Sequence, residues 1–451
     1  MATHPLLRRL ATFGDADAVV CRGQTCSYEH LLGLVDGWRN YLDISEVQPG
    51  EVVTLEGAYS PQVCAGLLAL IERGTIIVPL TMLPIAKRAE FLDVAQVEVV
   101  IEVDEQGYRH SERTGRHAEH ALYNSLRSAI TPGLVLFSSG TTGRSKATVL
   151  DFDKLINRYD DPKPPRRILS FLNLDHIGGI NTLLHTLCQG GTVVTVARRT
   201  PDAVFDAIAA HDVNILPTTP TFLNMVLISG AHTRHSVRSL ELITYGTEPM
   251  PLRTLQRLKA ALPSVRFKQT YGLSELGILP TRSKSDDTLW IKLGTNAGFD
   301  HKIVDGVLWV RSQMAMLGYL NFPASFDDDG FFNTEDMVET DGEYVRILGR
   351  RSEIINVGGE KVYPSEVENV LLEVPNVADA SVTGHPSHVV GMVVKATVQL
   401  IEDEDERAVS RRVREFCRQR LEPFKVPVVI KASTTPQHSD RFKKIRSGVR
   451  P

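Results

Sequence analysis

The sequence predicts an α/β protein: a large N-terminal domain on mainly parallel sheet, a small barrel-like β unit, and a small α+β domain at the C-terminus. Three observations carry this prediction. Between residues 59 and 280, short apolar runs alternate with helical patterns about ten residues long, the rhythm of a parallel sheet covered on both faces. After about residue 286 the helical patterns thin out. Beyond residue 353 strands and charged helices return in a new arrangement.

The elements follow in chain order. SPQVCAGLLALIER reads as a helix, TIIVPL as a short strand, PIAKRAEFLDVA as a helix and VEVVIEV as a strand, each from its apolar period. The alternation resumes with PDAVFDAIAAH, VNILPT, PTFLNMVLIS, LELITYG, PLRTLQRLKAAL and VRFKQTYG. In such sheets ligands collect where strands end and loops begin. KIVDGVLWVRS, AMLGYL and GEYVRILGR read as strands of the small β unit, joined by Asp-Gly and Gly turns. In the last hundred residues a helix from Pro364 to Glu373 precedes strands in VADASVTG and MVVKATVQL, and then the charged helix DERAVSRRVREFCRQR. Its acidic start and arginine-rich body suit the helix dipole.

Bulk properties exclude several classes. A chain of 451 residues exceeds what one core supports, so two or three packing units are expected. With 42% hydrophobic and 23% charged residues it is an ordinary globular composition. A net charge of -4, without a basic block, gives no electrostatic reason to expect nucleic acid. The N-terminus lacks a secretory apolar core, and the longest greasy stretch is broken by Glu72 and Arg73, well short of the roughly 20 residues that cross a bilayer. The expectation is a cytoplasmic chain with no membrane insertion. Five cysteines, an odd number with no zinc-finger spacing, read as buried thiols.

FSSGTTGRSKA, residues 137 to 147, interrupts two apolar runs. Glycines let backbone N–H groups gather round an anion, hydroxyls add donors and a lysine adds charge, which together suit a polyphosphate. It is not a Walker loop, because Lys146 stands three residues after Gly143 instead of directly behind it. A hydrophilic hairpin is the plain alternative. Four further stretches then occur in order: YGLSE at 271 to 275, FFNTED ending at Asp336, GRRSEIINVGGEKVYPSEVE at 349 to 368, and TPQHSDRFKKIRSG near the C-terminus.

This ordered set resembles the signatures of the adenylate-forming superfamily, which includes acyl-CoA synthetases, adenylation domains of peptide synthetases and luciferases. The resemblance implies αβαβα subdomains in an N-terminal domain over residues 1–351 and a mobile C-terminal domain over 352–451, with a hinge at Ser352. It implies that Ser138, Ser139, Gly140, Thr141, Thr142, Gly143 and Lys146 cradle the phosphates of ATP, and that Glu275 with Ser274 organises Mg2+. It places Asp336 and Arg350 on the ribose, a carboxylate being a natural acceptor for two hydroxyls. YGTEPM, residues 245 to 250, resembles the stretch that stacks on adenine and floors the acid pocket, so Tyr245, Gly246, Thr247, Glu248, Tyr271 and Gly272 join the site. Gly246, lacking a side chain, leaves room for a flat ligand. Lys443 is the implied mobile catalytic lysine, with Lys444 beside it as the alternative. Joining two anions calls for such cations and for a metal at the leaving pyrophosphate.

LNLDHIGGINT, residues 172 to 182, resembles the acid-pocket segment of the acyl- and aryl-CoA branch, with His176 and Gly179 on the pocket. Amino-acid-activating relatives usually carry an Asp after Phe there; His176 favours a plain acid, while Asp175 keeps the amino-acid option open. The GGEKVYPSEVE variant and short length resemble o-succinylbenzoate-CoA ligases and similar compact synthetases. The implied reaction is acyl-adenylate formation followed by transfer to CoA or to a carrier-protein phosphopantetheine. Several positions depart from the family pattern: Ser145 for Pro, Ala147 for Gly, Glu335 for the Gly before Asp336, Ser352 for Asp or Lys, and Phe442 for Gly. Phe442 and Glu335 keep a non-catalytic nucleotide-binding relative in view.

Overall fold

The computed structural model describes residues 4–139, 144–294 and 298–433. Three helices start on one local signature. Ser60, Thr200 and Thr219 accept hydrogen bonds from the N–H groups of Val63, Ala203 and Phe222, and each is followed by proline at the first helical position. The side-chain oxygen satisfies an N–H that the helix cannot, and proline fixes the entry angle without wasting a donor. The first of these helices, Pro61–Arg73, ends on Gly74 at φ 72°, a left-handed cap that costs glycine little.

That helix is apolar nearly all round because it lies between two sheets. The first sheet runs, in spatial order, Arg266–Gln269, Leu242–Tyr245, Ile215–Thr218, Arg167–Leu169, Thr192–Val194, Asp17–Cys21 and Gln24–Ser27. Its pairs are parallel except the last. The second runs Gly318–Tyr319, Ser145–Asp151, Gly133–Ser139, Ile76–Leu80, Val52–Gly57, Val99–Val103 and Arg109–Arg113, parallel at its centre and antiparallel at both edges. One apolar cluster joins Val19 and Val193 of the first sheet to Ile77 and Leu134 of the second through the helices Tyr28–Ile44, Pro61–Arg73 and Ile177–Cys188. Further helices cover the outer face of each sheet. The expected αβαβα layering is therefore present. Close approach inside it is set by Gly66, where a Cβ would come within 2.6 Å of the Trp38 ring.

The β unit is a six-stranded antiparallel sheet ordered Thr281–Ser283, Ile291–Leu293, Tyr344–Arg350, Phe332–Asp341, Val307–Ser312 and Phe299–Val304. Among the described residues no pair joins its two edge strands. AMLGYL, expected in this unit, instead gives the strand Gly318–Tyr319 and pairs with Ser145–Asp151 at the edge of the second large sheet. Among the described residues the C-terminal lobe holds five strands, Ile355–Val357, Glu360–Val362, Val377–Ser387, Gly391–Leu400 and Val429–Ser433, with helices Pro364–Leu371 and Glu406–Arg418. No helix among the described residues is long and apolar enough to cross a membrane.

Candidate active site

The Gly-Thr stretch falls in the sequence between two paired strands. Strands Gly133–Ser139 and Ser145–Asp151 pair antiparallel, with Ser138 opposite Lys146 and Ser139 opposite Ser145. Gly140, Thr141, Thr142 and Gly143 lie outside the described residues. Ala147 is fully buried and Ser145 nearly so, so both departures from the family pattern pack as small residues on a covered strand. Asn321 pins that strand, accepting from the Ala147 N–H at 3.1 Å and donating to the Ser145 carbonyl at 2.8 Å. Register then puts Tyr319 opposite Thr148, and Lys146 Nζ stands 5.1 Å from the centre of the Tyr319 ring and 5.8 Å from that of Phe322.

Tyr319 is the junction of the site. Its hydroxyl donates to Glu275 Oε1 at 2.5 Å, while the Glu275 carbonyl accepts from the Met316 N–H at 2.8 Å. Glu275 and Ser274 lie at the turn between strands Tyr271–Leu273 and Gly277–Leu279. Burial, and after it the Glu275 charge, pushes the Tyr319 hydroxyl far above its ordinary pKa. The phenol therefore keeps its proton and acts as a donor. The motif reading missed Tyr319; it lies in a segment legible only as a strand, and its role follows from pairing with a strand about 170 residues earlier.

The second cluster is built on facing strands. Asp336 and Arg350 are cross-strand partners; Arg350 Nε lies 3.7 Å from Asp336 Oδ1, and the Tyr271 hydroxyl donates to Asp336 Oδ2 at 2.6 Å. Asp336 is 7% exposed. Burial raises its pKa, against the opposing pull of Arg350 and Tyr271. For Arg350 burial works against the charge, but Asp336 and then Glu275 outweigh it and its pKa moves up. The two clusters thus share one electrostatic field. Glu335 sits beside them at φ 60°, exposed. That left-handed backbone is where glycine is at ease, which gives the physical reason for the family's usual residue there.

Other expected pocket residues take different positions. Tyr245 is 1% exposed and belongs to the apolar cluster behind the first sheet, so its ring stands behind the site. Gly246 is required by crowding and not by room for a ligand: a Cβ there would meet Thr270 Oγ1 at 2.7 Å and its carbonyl at 2.8 Å. Thr247 follows at φ 72°, and Glu248 Oε1 accepts from the Thr221 N–H at 2.7 Å. Gly272 is held by Ile278 and the Gly277 carbonyl across its hairpin, and Gly179 by the Asn173 carbonyl. His176 caps the helix Ile177–Cys188, its Nδ1 accepting from the Gly178 N–H at 2.9 Å. Asp175 is buried and accepts from the Thr81 hydroxyl at 3.1 Å. His176 and His185 stand nine positions apart at opposite ends of that helix, and among the described residues no three histidine, cysteine or acidic side chains gather round a metal position. Ser352 lies exposed in the short turn Arg351–Glu353. Lys443 and Lys444 lie outside the described residues.

A lysine and a carboxylate thus meet on one tyrosine, near an Asp–Arg–Tyr cluster built on Tyr271 and on the β-unit strands Phe332–Asp341 and Tyr344–Arg350, and the class of the protein is that of the adenylate-forming enzymes. The chain belongs to the AMP-binding enzyme family, whose description matches residues 6–320, with the AMP-binding enzyme C-terminal domain matching 366–443. It is 29% identical over 428 residues to indoleacetate–CoA ligase of Aromatoleum aromaticum, covering 83% of each chain. It is 29% identical over 387 residues to 2-succinylbenzoate–CoA ligase of Bacillus licheniformis, covering 77% of this chain and 78% of that one. The crystal structure of the anthranilate CoA ligase AuaEII with anthranoyl-AMP superposes with a TM-score of 0.84 at 19% identity, over 98% of this chain and 96% of the other.

Proposed function

We propose that this chain joins a plain acyl or aryl carboxylic acid to CoA in two steps at one site. In the first, a carboxylate oxygen attacks the α-phosphorus of ATP and the bond to the bridging oxygen breaks, releasing pyrophosphate. In the second, the CoA thiol attacks the acyl carbon, loses its proton and expels AMP. The observation that carries this reading is the convergence of Lys146 and Glu275 on Tyr319 beside the Asp336–Arg350–Tyr271 cluster.

Lys146, on a covered strand and steered by two aromatic rings, supplies positive charge to the β- and γ-phosphates. Ser138 and Ser139 with the Gly-Thr residues that follow supply donors. Asp336 keeps acceptor capacity beyond its bond to Tyr271, which suits two ribose hydroxyls. Thr247 and Glu248 shape the adenine side. Mg2+ takes one or two carboxylates and completes its shell with water and substrate phosphates, so a single protein carboxylate at Glu275, next to Ser274, fits it. When bound, the ion neutralises charge on the phosphates. Lys443, from the lobe of residues 352–451, adds a cation at the α-phosphate, and rotation about Ser352 removes it before the thiol arrives. An imidazole stands where amino-acid-activating relatives carry a carboxylate, and the neighbouring Asp175 is buried against Thr81, so a plain carboxylic acid is the favoured substrate.

The test is acid-dependent exchange of labelled pyrophosphate into ATP across a panel of carboxylic acids, with the active acid then offered CoA or a holo carrier protein. Exchange with an aryl or acyl acid and thioester on CoA are expected. Absence of exchange with every acid would leave a binding protein, and thioester on the carrier alone would replace CoA as acceptor.

A further inference from the structure

The lobe's apolar cluster is its own, with every buried member between Ile355 and Ile430. Hydrogen bonds tie it to the body. Asn224 Nδ2 donates to the Ala378 carbonyl at 2.9 Å, the Leu252 N–H donates to Asn369 Oδ1 at 3.1 Å, and the Ser365 hydroxyl donates to the Leu348 carbonyl at 2.5 Å. Polar ties without a shared apolar core leave relative motion as the default. Leu348 belongs to the strand that runs straight into the turn Arg351–Glu353, so the Ser365 bond sits at the pivot. The other two grip the body on helices Pro220–Ser229 and Leu252–Ala261, away from that strand.

Both grips are rooted in one segment of the site. Glu248 holds the Thr221 N–H in the first turn of the helix Pro220–Ser229 at 2.7 Å. Asn224 stands three residues further on, on the same helix side. Leu252 opens the next helix, directly after the same segment. Residues 245–252 therefore adjoin the site at one end, where the Thr270 N–H beside Tyr271 donates to the Tyr245 carbonyl at 2.8 Å, and support the lobe at the other. Asn224 is 5% exposed, and its amide is buried in that contact.

We propose that Asn224 and Asn369 are positioning residues forming a two-point latch, which holds the lobe in the orientation seen here and couples that orientation to residues 245–252 at the site. Each of the two half-reactions needs one lobe orientation. Loosening the latch therefore slows the step that uses this orientation and speeds the other.

Because the latch rests on the two-step reaction proposed above, it is tested where the two readings fail separately. In the full chain, dyes on unnatural side chains at exposed Ile44 and Glu415 report the body-to-lobe distance without any ligand. Asn224→Asp keeps the shape and removes the donor; Asn369→Ala removes the second grip and guards against a folding failure of the first. Each variant is expected to enlarge the alternative distance population about five-fold, the weight of roughly one hydrogen bond. With the acid found by exchange, pyrophosphate exchange and thioester formation from supplied acyl-adenylate should then move in opposite senses. Unchanged distances, or both half-reactions lowered in equal proportion, overturn the latch. Shifted distances with no exchange from any acid refute the reaction and leave the latch's hold on the lobe standing.

Discussion

The body and the lobe secure their working groups by different means. In the body, Glu275 and Asp336 are held by short bonds from Tyr319 and Tyr271, and Lys146 stands on a covered strand between aromatic rings. The lobe has its own core and meets the body through hydrogen bonds. The body's groups are fixed by hydrogen bonds and packing inside one unit, whereas the movable cation of the proposed function, Lys443, belongs to the separable one. The harshest test of that contrast is Lys443→Ala. It should cost acyl-adenylate formation about 3 to 4 kcal/mol, the usual loss of one preorganised electrostatic contact. Thioester formation from supplied acyl-adenylate should be largely kept. Survival of both steps would move the role to Lys444.

The contrast extends to pH. His185, on the helix between the sheets, packs edge-on to Tyr159 at 5.8 Å, and burial, reinforced by Lys163 and Arg158, pushes its pKa down to about 4. The folded value lies below the unfolded one, so the unfolded chain takes up the proton first. The body's stability is therefore full above about pH 6.5, falls as pH drops towards 4 and levels below it. The whole effect is about 3 kcal/mol. The lobe's His385 and His388 are exposed on a hairpin. Amide hydrogen exchange between pH 7 and 4.5 should show body protection falling while lobe protection holds, and His185→Leu should flatten the body's response. Equal loss in both units would remove the contrast.

The sequence made the αβαβα body legible from residue 59 onward because each helix and strand there declares its own period. The opening strand Asp17–Cys21 was not legible: its parallel partner, Val19 against Val193, comes some 175 residues later, and no local pattern announces that. Tyr319 was hidden for the same reason. The polar cluster fared better, since Asp336, Arg350, Tyr271 and Glu275 were all named from motifs and do come together. Gly246 was expected to leave room for a flat ligand, and crowding by Thr270 accounts for it instead. Gly246 and Gly272 exclude a side chain because neighbouring backbone fills the space, and a sequence shows that a residue is small without showing what crowds it. His176 was named for the pocket from its motif, and the sequence did not show that its imidazole also caps the helix Ile177–Cys188.

Tyr319→Phe separates the two parts of its role. The ring beneath Lys146 stays, and the donor to Glu275 goes. A hydrogen bond to a charged acceptor is worth about 1.5 kcal/mol or more, so acyl-adenylate formation should fall about tenfold with transfer to CoA from supplied acyl-adenylate unaffected. Unchanged exchange would mean that Glu275 is positioned by its backbone alone, and the body's side of the contrast would lose its main tie.

The smallest expected effect is also the most selective. Glu335 holds φ 60° directly before Asp336 and its charge is felt at Tyr319, so it opposes both the backbone and the anionic ligand. A left-handed backbone costs a side-chain-bearing residue about 1 to 2 kcal/mol, and the larger freedom of glycine in the unfolded chain returns part of that. Glu335→Gly should therefore raise stability in urea by about 0.5 to 1 kcal/mol and tighten nucleotide binding. Glu335→Gln keeps the strained backbone and removes only the charge, so it should tighten nucleotide binding without the stability gain. If Gln stabilises as much as Gly, the cost at this position is electrostatic, and the residue departs from glycine without backbone penalty.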